Sequence, residues 1–375
     1  MIKRFYDDLN KLIKPGRALI IYGPRRVGKT TLLRNFLDKT GFNYKLDSGD
    51  NIKVQNILSS RDFSLILSYV EGYNLFAIDE AQQILNVGAG LKIIVDQAPS
   101  VRVIATGSSS FELSSQVGEP LTGRKQTIVL YPVSQLELAE SLNRFELKER
   151  LEEYLIFGSY PEVITSKAKV DKIAVIKEIV NSYLLKDILS FDRVRSSQTL
   201  LNLLKLLAFQ IGSEVSLNEL SLQLAIDIKT VSRYLDLLEK AFVIVSIGGF
   251  SRNLRSEIKN KRKYYFLDNG VRNGVISQFN SLADRNDTGQ LFENFVVTER
   301  IKTQSYKKIL RTNYFWRTYE QAEIDWVEEG EGKINGYEIK WSVKKSVRSP
   351  KQWHAAYKNA DFKVITLENY LDFLL

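Results

Sequence analysis

Over the first 130 residues, short apolar runs alternate with segments of helical periodicity. Residues 18–22, 74–80 and 101–106 contain apolar runs typical of strands buried on both faces, and residues 31–37 have the spacing of a helix. Residues 126–130 would close the sheet. This alternation predicts an α/β fold class, with a parallel sheet covered by helices on both faces.

The hydrophobic pattern changes after residue 130 and again near residues 196 and 271. The segment from residue 131 to 195 has helical spacing, interrupted by turn residues at 158–161. In the segment from residue 196 to 270 we expect a helix at 200–209, a second that starts at 216 and a third at 228–240. Strands are expected at 241–245 and 263–267, which gives the order of a winged helix. The pattern of the segment from residue 271 to 375 predicts an amphipathic helix at 289–302, further strands and another helix. The predicted domains are residues 1–130, 131–195, 196–270 and 271–375.

A phosphate-binding loop follows the first predicted strand. Residues 23–30 match G-x-x-x-x-G-K-[ST], with a strand before them and a helix after them. Its glycines let backbone N–H groups turn toward phosphate oxygens, and the helix N-terminus adds partial positive charge. We therefore predict ATP binding, with Lys29 on the β- and γ-phosphates and Thr30 on Mg²⁺. The predicted nucleotide-binding residues are Gly23, Pro24, Arg25, Arg26, Val27, Gly28, Lys29, Thr30, Thr31, Asp79 and Ser108.

Polar residues end two further predicted strands. Asp79 would reach the Mg²⁺ side of the triphosphate, and Glu80 would polarise the attacking water. Ser108 is a candidate γ-phosphate sensor, because polar groups at the carboxyl end of a central strand face the ligand crevice. The alternatives are solvated acids at a strand end and an ordinary serine-rich loop.

Composition excludes several kinds of chemistry. The 375 residues include no cysteine and one histidine, His354, so disulfides, thiolate zinc sites, cysteine nucleophiles and histidine-rich metal sites are ruled out. The N-terminus lacks the apolar core of a signal peptide, and no apolar stretch is long enough to cross a bilayer. We therefore expect a cytoplasmic protein with no membrane partner.

The net charge of +9 and the pI of about 9.3 favour polyanionic partners, with DNA as the expected one. The third helix of the winged segment could enter the major groove of DNA, and the residues at its leading end would be Lys229, Thr230, Ser232 and Arg233. The alternatives are solvated basic faces and a helical packing module that touches no nucleic acid. The basic runs are Arg252, Arg255, Lys259, Lys261, Arg262 and Lys263, and Lys340, Lys344, Lys345, Arg348 and Lys351.

A second group of candidate residues lies near the C-terminus. Period-two alternation puts Glu338 and Lys340 on one face of a strand, Asp325 can lie beside them across a hairpin, and Glu293 can join them from the preceding helix. Carboxylates of this kind suit Mg²⁺ or Mn²⁺, and Lys340 could orient water or neutralise developing charge. The alternative is that they are solvated residues of an edge strand.

The chain resembles, along nearly its full length, archaeal and bacterial P-loop ATPases of the AAA superfamily with a C-terminal restriction-endonuclease-like domain. The ATPase motifs are specific, and the C-terminal ones are less so. The segments that support the resemblance are residues 23–33, 78–82, 106–110, 121–124, 154–163, 289–295, 323–325 and 337–340.

The resemblance implies an AAA core, a helical lid, a winged helix and a PD-(D/E)xK nuclease-like fold. It also implies that Arg124 is an arginine finger, acting in cis or, in an oligomer, in trans. The proline of the PD motif is Ile324 here. The implied function is an ATP-hydrolysing switch coupled to a DNA-directed module whose nuclease activity stays open. The alternatives are a non-cleaving ATPase that binds a nucleic acid or protein partner, and a signalling or defence ATPase.

Overall fold

The computed structural model describes residues 2–107, 120–184, 196–251, 261–318, 320, 322–342 and 347–375. They form two compact units: unit 1 comprises residues 1–132 and 240–242, and unit 2 comprises residues 133–239 and 243–375. The predicted α/β fold class, with a parallel P-loop sheet followed by helices and a second sheet, is confirmed. The predictions made for Ser108 and for Arg252, Arg255, Lys259, Lys344 and Lys345 lie outside the described residues.

Unit 1 is built on a parallel sheet. Its strands are β1 (Ala18–Tyr22), β2 (Tyr44–Ser48), β3 (Leu75–Asp79), β4 (Arg102–Gly107) and β5 (Lys125–Val129). The strand order is β2-β3-β4-β1-β5, and every residue of β1 is buried, as its continuous apolar run predicts. The helices are α1 (Lys29–Leu37), α2 (Ile52–Ser59), α3 (Phe63–Val70) and α4 (Val87–Gln97).

The register of this sheet decides which residues meet at each edge. Tyr22 pairs with Gly107 at the carboxyl end of β1, and Ala18 pairs with Lys125 at its beginning. Because all five strands are parallel, the loops that follow β1, β3 and β4 leave the sheet at the same edge.

Unit 2 begins with helices whose N-termini are well capped. Ser134 and Glu137 form one capping box, and Asn143 and Glu146 form another. The helices up to residue 240 are α5 (Gln135–Leu138), α6 (Arg144–Glu149), α7 (Leu151–Phe157), α8 (Pro161–Thr165), α9 (Lys169–Glu178), α10 (Ser197–Phe209), α11 (Leu217–Leu224) and α12 (Ile228–Lys240). Those that follow are α13 (Asn269–Val275), α14 (Thr288–Lys307), α15 (Lys351–Ala356) and α16 (Tyr370–Leu374).

The turn after α7 is anchored on Asp268. Gly158 has φ +74°, and a Cβ added to it would lie 2.0 Å from Asp268 Oδ1. The Ser159 N–H donates to Asp268 Oδ2 at 2.7 Å, and the Asn273 amide donates to the carbonyls of Leu155 and Ile156 at the end of α7. Glycine is therefore required where this turn passes the buried carboxylate.

The sheet of unit 2 contains strands from both sides of residue 270, the position at which we expected one domain to end and the next to begin. Its strands are β6 (Glu214–Val215), β7 (Ile244–Gly249), β8 (Arg262–Phe266), β9 (Thr312–Arg317), β10 (Glu323–Gly330), β11 (Lys333–Ile339) and β12 (Ala360–Ile365). Their order is β12-β11-β10-β9-β7-β8-β6. The short parallel pairing of Gly248 with Tyr314 joins the β7–β8 hairpin to the later strands, and Phe250 packs with Trp316 and Trp353 in one core.

The first strand of that hairpin starts later than the sequence pattern predicts. We expected it at residues 241–245, but β7 begins at Ile244, since Phe242 adopts φ +58° after α12 ends. Among the residues described, no helix combines the length and the apolar character needed to cross a membrane.

Candidate nucleotide site and a second acidic cluster

The loop after β1 has a backbone that depends on its glycines. Gly23 has φ +152°, and a Cβ on it would lie 2.1 Å from the carbonyl oxygen of Leu130. Gly28 adopts a left-handed conformation at the N-cap of α1, with φ +94°. Both fixed glycines of the motif are therefore needed for the close approach and the turn. Pro24 and Val27 are buried in this loop, Arg25 and Arg26 are half-buried, and Thr31 is exposed on the first turn of α1.

Lys29 directs its charge into the loop. Its side chain is buried, and the Nζ donates to the carbonyl oxygens of Gly23 at 2.9 Å and Pro24 at 2.8 Å. Two backbone carbonyl oxygens therefore hold the ammonium inside the loop, a position that suits a group that must bind phosphate.

Thr30 and Asp79 meet although 49 residues separate them. The Thr30 hydroxyl donates to Asp79 Oδ2 at 2.7 Å, and the Thr106 hydroxyl donates to Asp79 Oδ1. Thr106 also accepts the Glu80 N–H at 3.2 Å. Sequence reasoning did not assign a role to Thr106; its position at the carboxyl end of β4 was the available signal. The donor set of Thr30 and Asp79 fits Mg²⁺, which prefers hydroxyl and carboxylate oxygens.

Glu80 lies in a strained backbone position beside this pair. It has φ +51°, and Gly49 makes room for it, because a Cβ at Gly49 would lie 2.2 Å from the Glu80 carbonyl oxygen. The Gln82 amide donates to the Glu80 carboxylate. The carboxylate is therefore oriented by a neighbour two residues along the chain, a contact that sequence reasoning missed.

Arg4 braces the loop from a distant part of the chain. Its guanidinium donates to the carbonyl oxygen of Val27 through Nη1 and to that of Tyr131 at 2.6 Å through Nη2, and the side chain is buried. No motif marks Arg4, because its role depends only on where the chain folds.

Arg124 does not lie at the loop edge of the sheet. The Ala18 N–H donates to the Arg124 carbonyl at 2.9 Å, so Arg124 stands where β1 begins. β1 itself spans about 13 Å at ~3.3 Å per residue. The Arg124 guanidinium pairs with Asp96 on α4. In this conformation the length of β1 separates the Arg124 backbone from the loop of its own chain. The assignment of Arg124 as a finger, in cis or in trans, stays a prediction.

Comparison with known families bears on this N-terminal site. Residues 15–139 match the model of a family described as an AAA domain. This match, together with the parallel sheet, supports a P-loop ATPase of the AAA type. Residues 148–282 and 288–370 match two families described as domains of unknown function, DUF8612 and DUF4143.

Individual relatives extend over most of the chain. An uncharacterized protein of Mycobacterium tuberculosis is 27% identical over 351 residues, covering 91% of this chain and 75% of the relative. An uncharacterized protein of Haemophilus influenzae is 28% identical over 283 residues, covering 69% of each. Among solved structures, the walker-type ATPase of Pyrococcus abyssi is similar with a TM-score of 0.45 and 18% identity, over 69% of this chain and 91% of that one.

In unit 2, the structure brings the predicted acidic residues together. Asp325 Oδ2 accepts the Ile339 N–H at 2.8 Å. The Lys340 ammonium lies 2.6 Å from Glu338 Oε1 and 3.7 Å from Asp325 Oδ2. Glu293, on α14, belongs to the same cluster through its contact with Lys263.

Two residues of the cluster were not expected there. Lys263, on β8, is 1% exposed and pairs with Glu323; its Nζ lies 3.8 Å from Glu293 Oε1 and 4.0 Å from Asp325 Oδ1. We had expected Lys263 to contact DNA within a basic run. That expectation is wrong, because the ammonium is buried among carboxylates.

Burial and mutual repulsion change the acidity of these groups. Burial raises the pKa of Glu293 to about 8, and the negative charge of Asp325 adds to the rise, against the opposing effects of Lys263 and the Tyr265 hydroxyl. Burial and Asp325 likewise raise the pKa of Glu338. For Lys263 and Lys340, burial works to lower the pKa, but the surrounding carboxylates outweigh it and raise the pKa of both.

The cluster does not have the geometry of a metal site. Over the described residues, no group of three or more acidic or histidine side chains is arranged to hold a metal ion. Glu293, Asp325 and Glu338 are near one another, but Lys263 and Lys340 lie among them. These two ammonium groups offset part of the repulsion between the carboxylates. One carboxylate oxygen of the cluster, Glu338 Oε2, is buried and has no hydrogen-bond partner.

Proposed function

We propose that this protein binds ATP with Mg²⁺ and hydrolyses it. The observation that carries the proposal is the hydrogen bond between Thr30 and Asp79, because it joins two residues of separate motifs at one edge of the sheet. Lys29, held inside the loop, would bind the phosphates. Bound Mg²⁺ would neutralise charge that develops on the transferred phosphoryl group.

Glu80 is the residue we assign to the attacking water. Its carboxylate would orient the water and accept its proton, and Gln82 would hold the carboxylate in place. Thr106 would position Asp79 and the Glu80 backbone together, since its one hydroxyl contacts both. The loop glycines would supply backbone N–H groups to the phosphates.

The test compares three variants by ATP affinity and turnover. Lys29→Ala should abolish binding or weaken it severely, and Glu80→Gln should bind ATP but turn it over slowly. Lys39→Ala is the control, because Lys39 is exposed just after α1. Turnover by Glu80→Gln at the wild-type rate would remove the assignment of Glu80.

We further propose that unit 2 directs this ATPase to DNA. Three helices, α10, α11 and α12, precede the β7–β8 hairpin, and β6 pairs with β8. This order of elements supports the expectation of a winged helix. Asp227 caps α12 by accepting the Thr230 N–H at 2.8 Å. Lys229, Ser232 and Arg233 are exposed along its first turns. These groups could contact phosphates of a duplex.

Binding should depend steeply on salt, because lysine and arginine contacts to phosphate release counterions. Replacing Lys229 and Arg233 by alanine should weaken duplex binding and flatten the salt dependence. The matched control replaces Lys333 and Lys358, which are exposed outside α12. Equal loss in both double variants would indicate a general charge effect, and no binding at low salt would favour a protein partner or a signalling or defence role.

Coupling between the two activities is the switch that we propose. Duplex DNA should change the rate of ATP turnover, and the alanine replacements on α12 should remove that change. If the protein binds DNA but DNA does not change the rate of ATP turnover, the two functions are not coupled and the proposed switch is wrong.

A further inference from the structure

The centre of the acidic cluster in unit 2 is occupied by a side chain of the protein. The Lys263 ammonium is 1% exposed, pairs with Glu323, and lies within 4.0 Å of Glu293 and Asp325. These partners belong to different elements, because Lys263 is on β8, Glu293 on α14, and Glu323 and Asp325 on β10. One cation therefore holds together parts of the chain that are distant in sequence.

We propose that Lys263 is the resident cation of this cluster and that it takes the place of a divalent metal. The carboxylates then serve to fix the β7–β8 hairpin to β10 and α14, and they do not cleave DNA by metal-assisted hydrolysis. This inference is independent of the ATPase proposed for unit 1.

Charge balance supports it. A buried ammonium is costly to desolvate unless it is paired, and here carboxylates and the ring of Phe315, 5.4 Å from Nζ, surround it. A divalent ion bound by Glu293 and Asp325 would lie beside the ammonium and be repelled by it. The two cations therefore compete for one set of carboxylates.

The other contacts of Glu293 and Asp325 also leave little room for a metal between these two residues. Glu293 Oε1 accepts the Tyr265 hydroxyl at 2.8 Å, and Asp325 Oδ2 accepts the Ile339 N–H. The backbone covers Glu293 closely, since a Cβ at Gly212 would lie 2.9 Å from Glu293 Oε1. A metal would have to displace these donors as well as Lys263.

The experiment follows thermal unfolding of the full-length protein by tryptophan emission, with and without Mn²⁺. All four tryptophans lie between residues 316 and 353, so the signal reports unit 2. Every protein carries Thr30→Ala and Asp79→Ala, which remove the proposed metal ligands of unit 1. The unit 2 variants are Lys263→Met, Lys263→Arg and the control Lys340→Met, which removes the more exposed ammonium of the same cluster.

We expect no Mn²⁺-dependent rise in Tm while Lys263 is present. Lys263→Met should lower Tm by several degrees, and Mn²⁺ should restore part of the loss, whereas Lys263→Arg should retain most of the stability. Loss of stability in Lys263→Met without a Mn²⁺ response still supports the ammonium as resident cation.

Two results would overturn the inference. The first is a Mn²⁺-dependent rise in Tm with Lys263 present that disappears in Asp325→Asn. The second is a Lys263→Met protein as stable as its parent. If Lys263→Met does not fold, Lys263→Arg and the Asp325→Asn comparison still decide between the two cations. Plasmid DNA incubated with Mn²⁺ should remain uncut by the wild-type protein.

Discussion

Replacing Glu293 by glutamine should make unit 2 more stable at neutral and alkaline pH. The carboxyl group is enclosed in the cluster, where it accepts the Tyr265 hydroxyl and faces Asp325, Glu323 and Lys263. Burial raises the pKa of Glu293 to about 8 from an ordinary 4.5. Glutamine resembles the protonated acid in shape and cannot ionise, so it removes the cost of the buried charge.

The sign follows from proton binding. Between the two pKa values, the folded protein holds a proton on Glu293 that the unfolded chain has released. Stability therefore falls as pH rises through this window. The destabilising effect of Glu293 is smallest below about pH 4.5, where the carboxyl group is protonated in both states. With 1.36 kcal/mol per unit of pKa, the wild-type protein should lose several kcal/mol more than Glu293→Gln between pH 5 and pH 8.

Urea unfolding followed by tryptophan emission measures this difference. All four tryptophans lie between residues 316 and 353, so the emission reports unit 2 alone. Glu331→Gln is the control, because its side chain is 82% exposed in the turn between β10 and β11. It should leave the pH dependence unchanged.

A pH dependence that is the same in wild type and Glu293→Gln would refute the reasoning. It would mean that Glu293 titrates alike in the folded and unfolded states. A loss of stability in Glu293→Gln at pH 8 would contradict the reasoning as well, because it would mean that the ionised carboxylate stabilises unit 2.

Three further predictions test other parts of the molecule. Arg4→Met should weaken ATP binding at least about tenfold, because Val27 and Tyr131 lose a charged donor, whereas exposed Arg34→Met should not; equal affinities would show that the brace is dispensable. Arg124→Ala should lower turnover with ATP affinity kept, and mixing it with Glu80→Gln should restore activity if the finger acts in trans; normal turnover in Arg124→Ala alone would refute the assignment. Gly158→Ala should destabilise unit 2 by about 3 kcal/mol or more, measured by urea unfolding, because its Cβ would collide with Asp268; a change below about 0.5 kcal/mol would contradict that geometry.

The local pattern was sufficient for the elements of unit 1 and for its loop. Continuous apolar runs predicted β1, β3 and β4, and the spacing of Gly23, Gly28 and Lys29 predicted the loop between β1 and α1. These features depend on residues close together in sequence, where backbone sterics and burial act directly.

Unit 2 was partly predictable for the same reason. The limits of α12 agree with the sequence prediction, and Asp325, Glu338 and Lys340 share a face because strand alternation and hairpin pairing require it. The joining of β7 to β9 was not foreseen, since nothing local marks which strands will be neighbours in a sheet.

Only the tertiary structure could decide the long-range contacts. Arg4 reaches Val27 across 23 residues and Tyr131 across 127, and Lys263 reaches Asp325 across another 62 positions in sequence. A lone arginine or lysine carries no pattern, and a lysine in a basic run is expected to be solvated. Whether such a charge meets phosphate, a carbonyl or a carboxylate depends on which distant segments pack around it, and that is settled by folding as a whole.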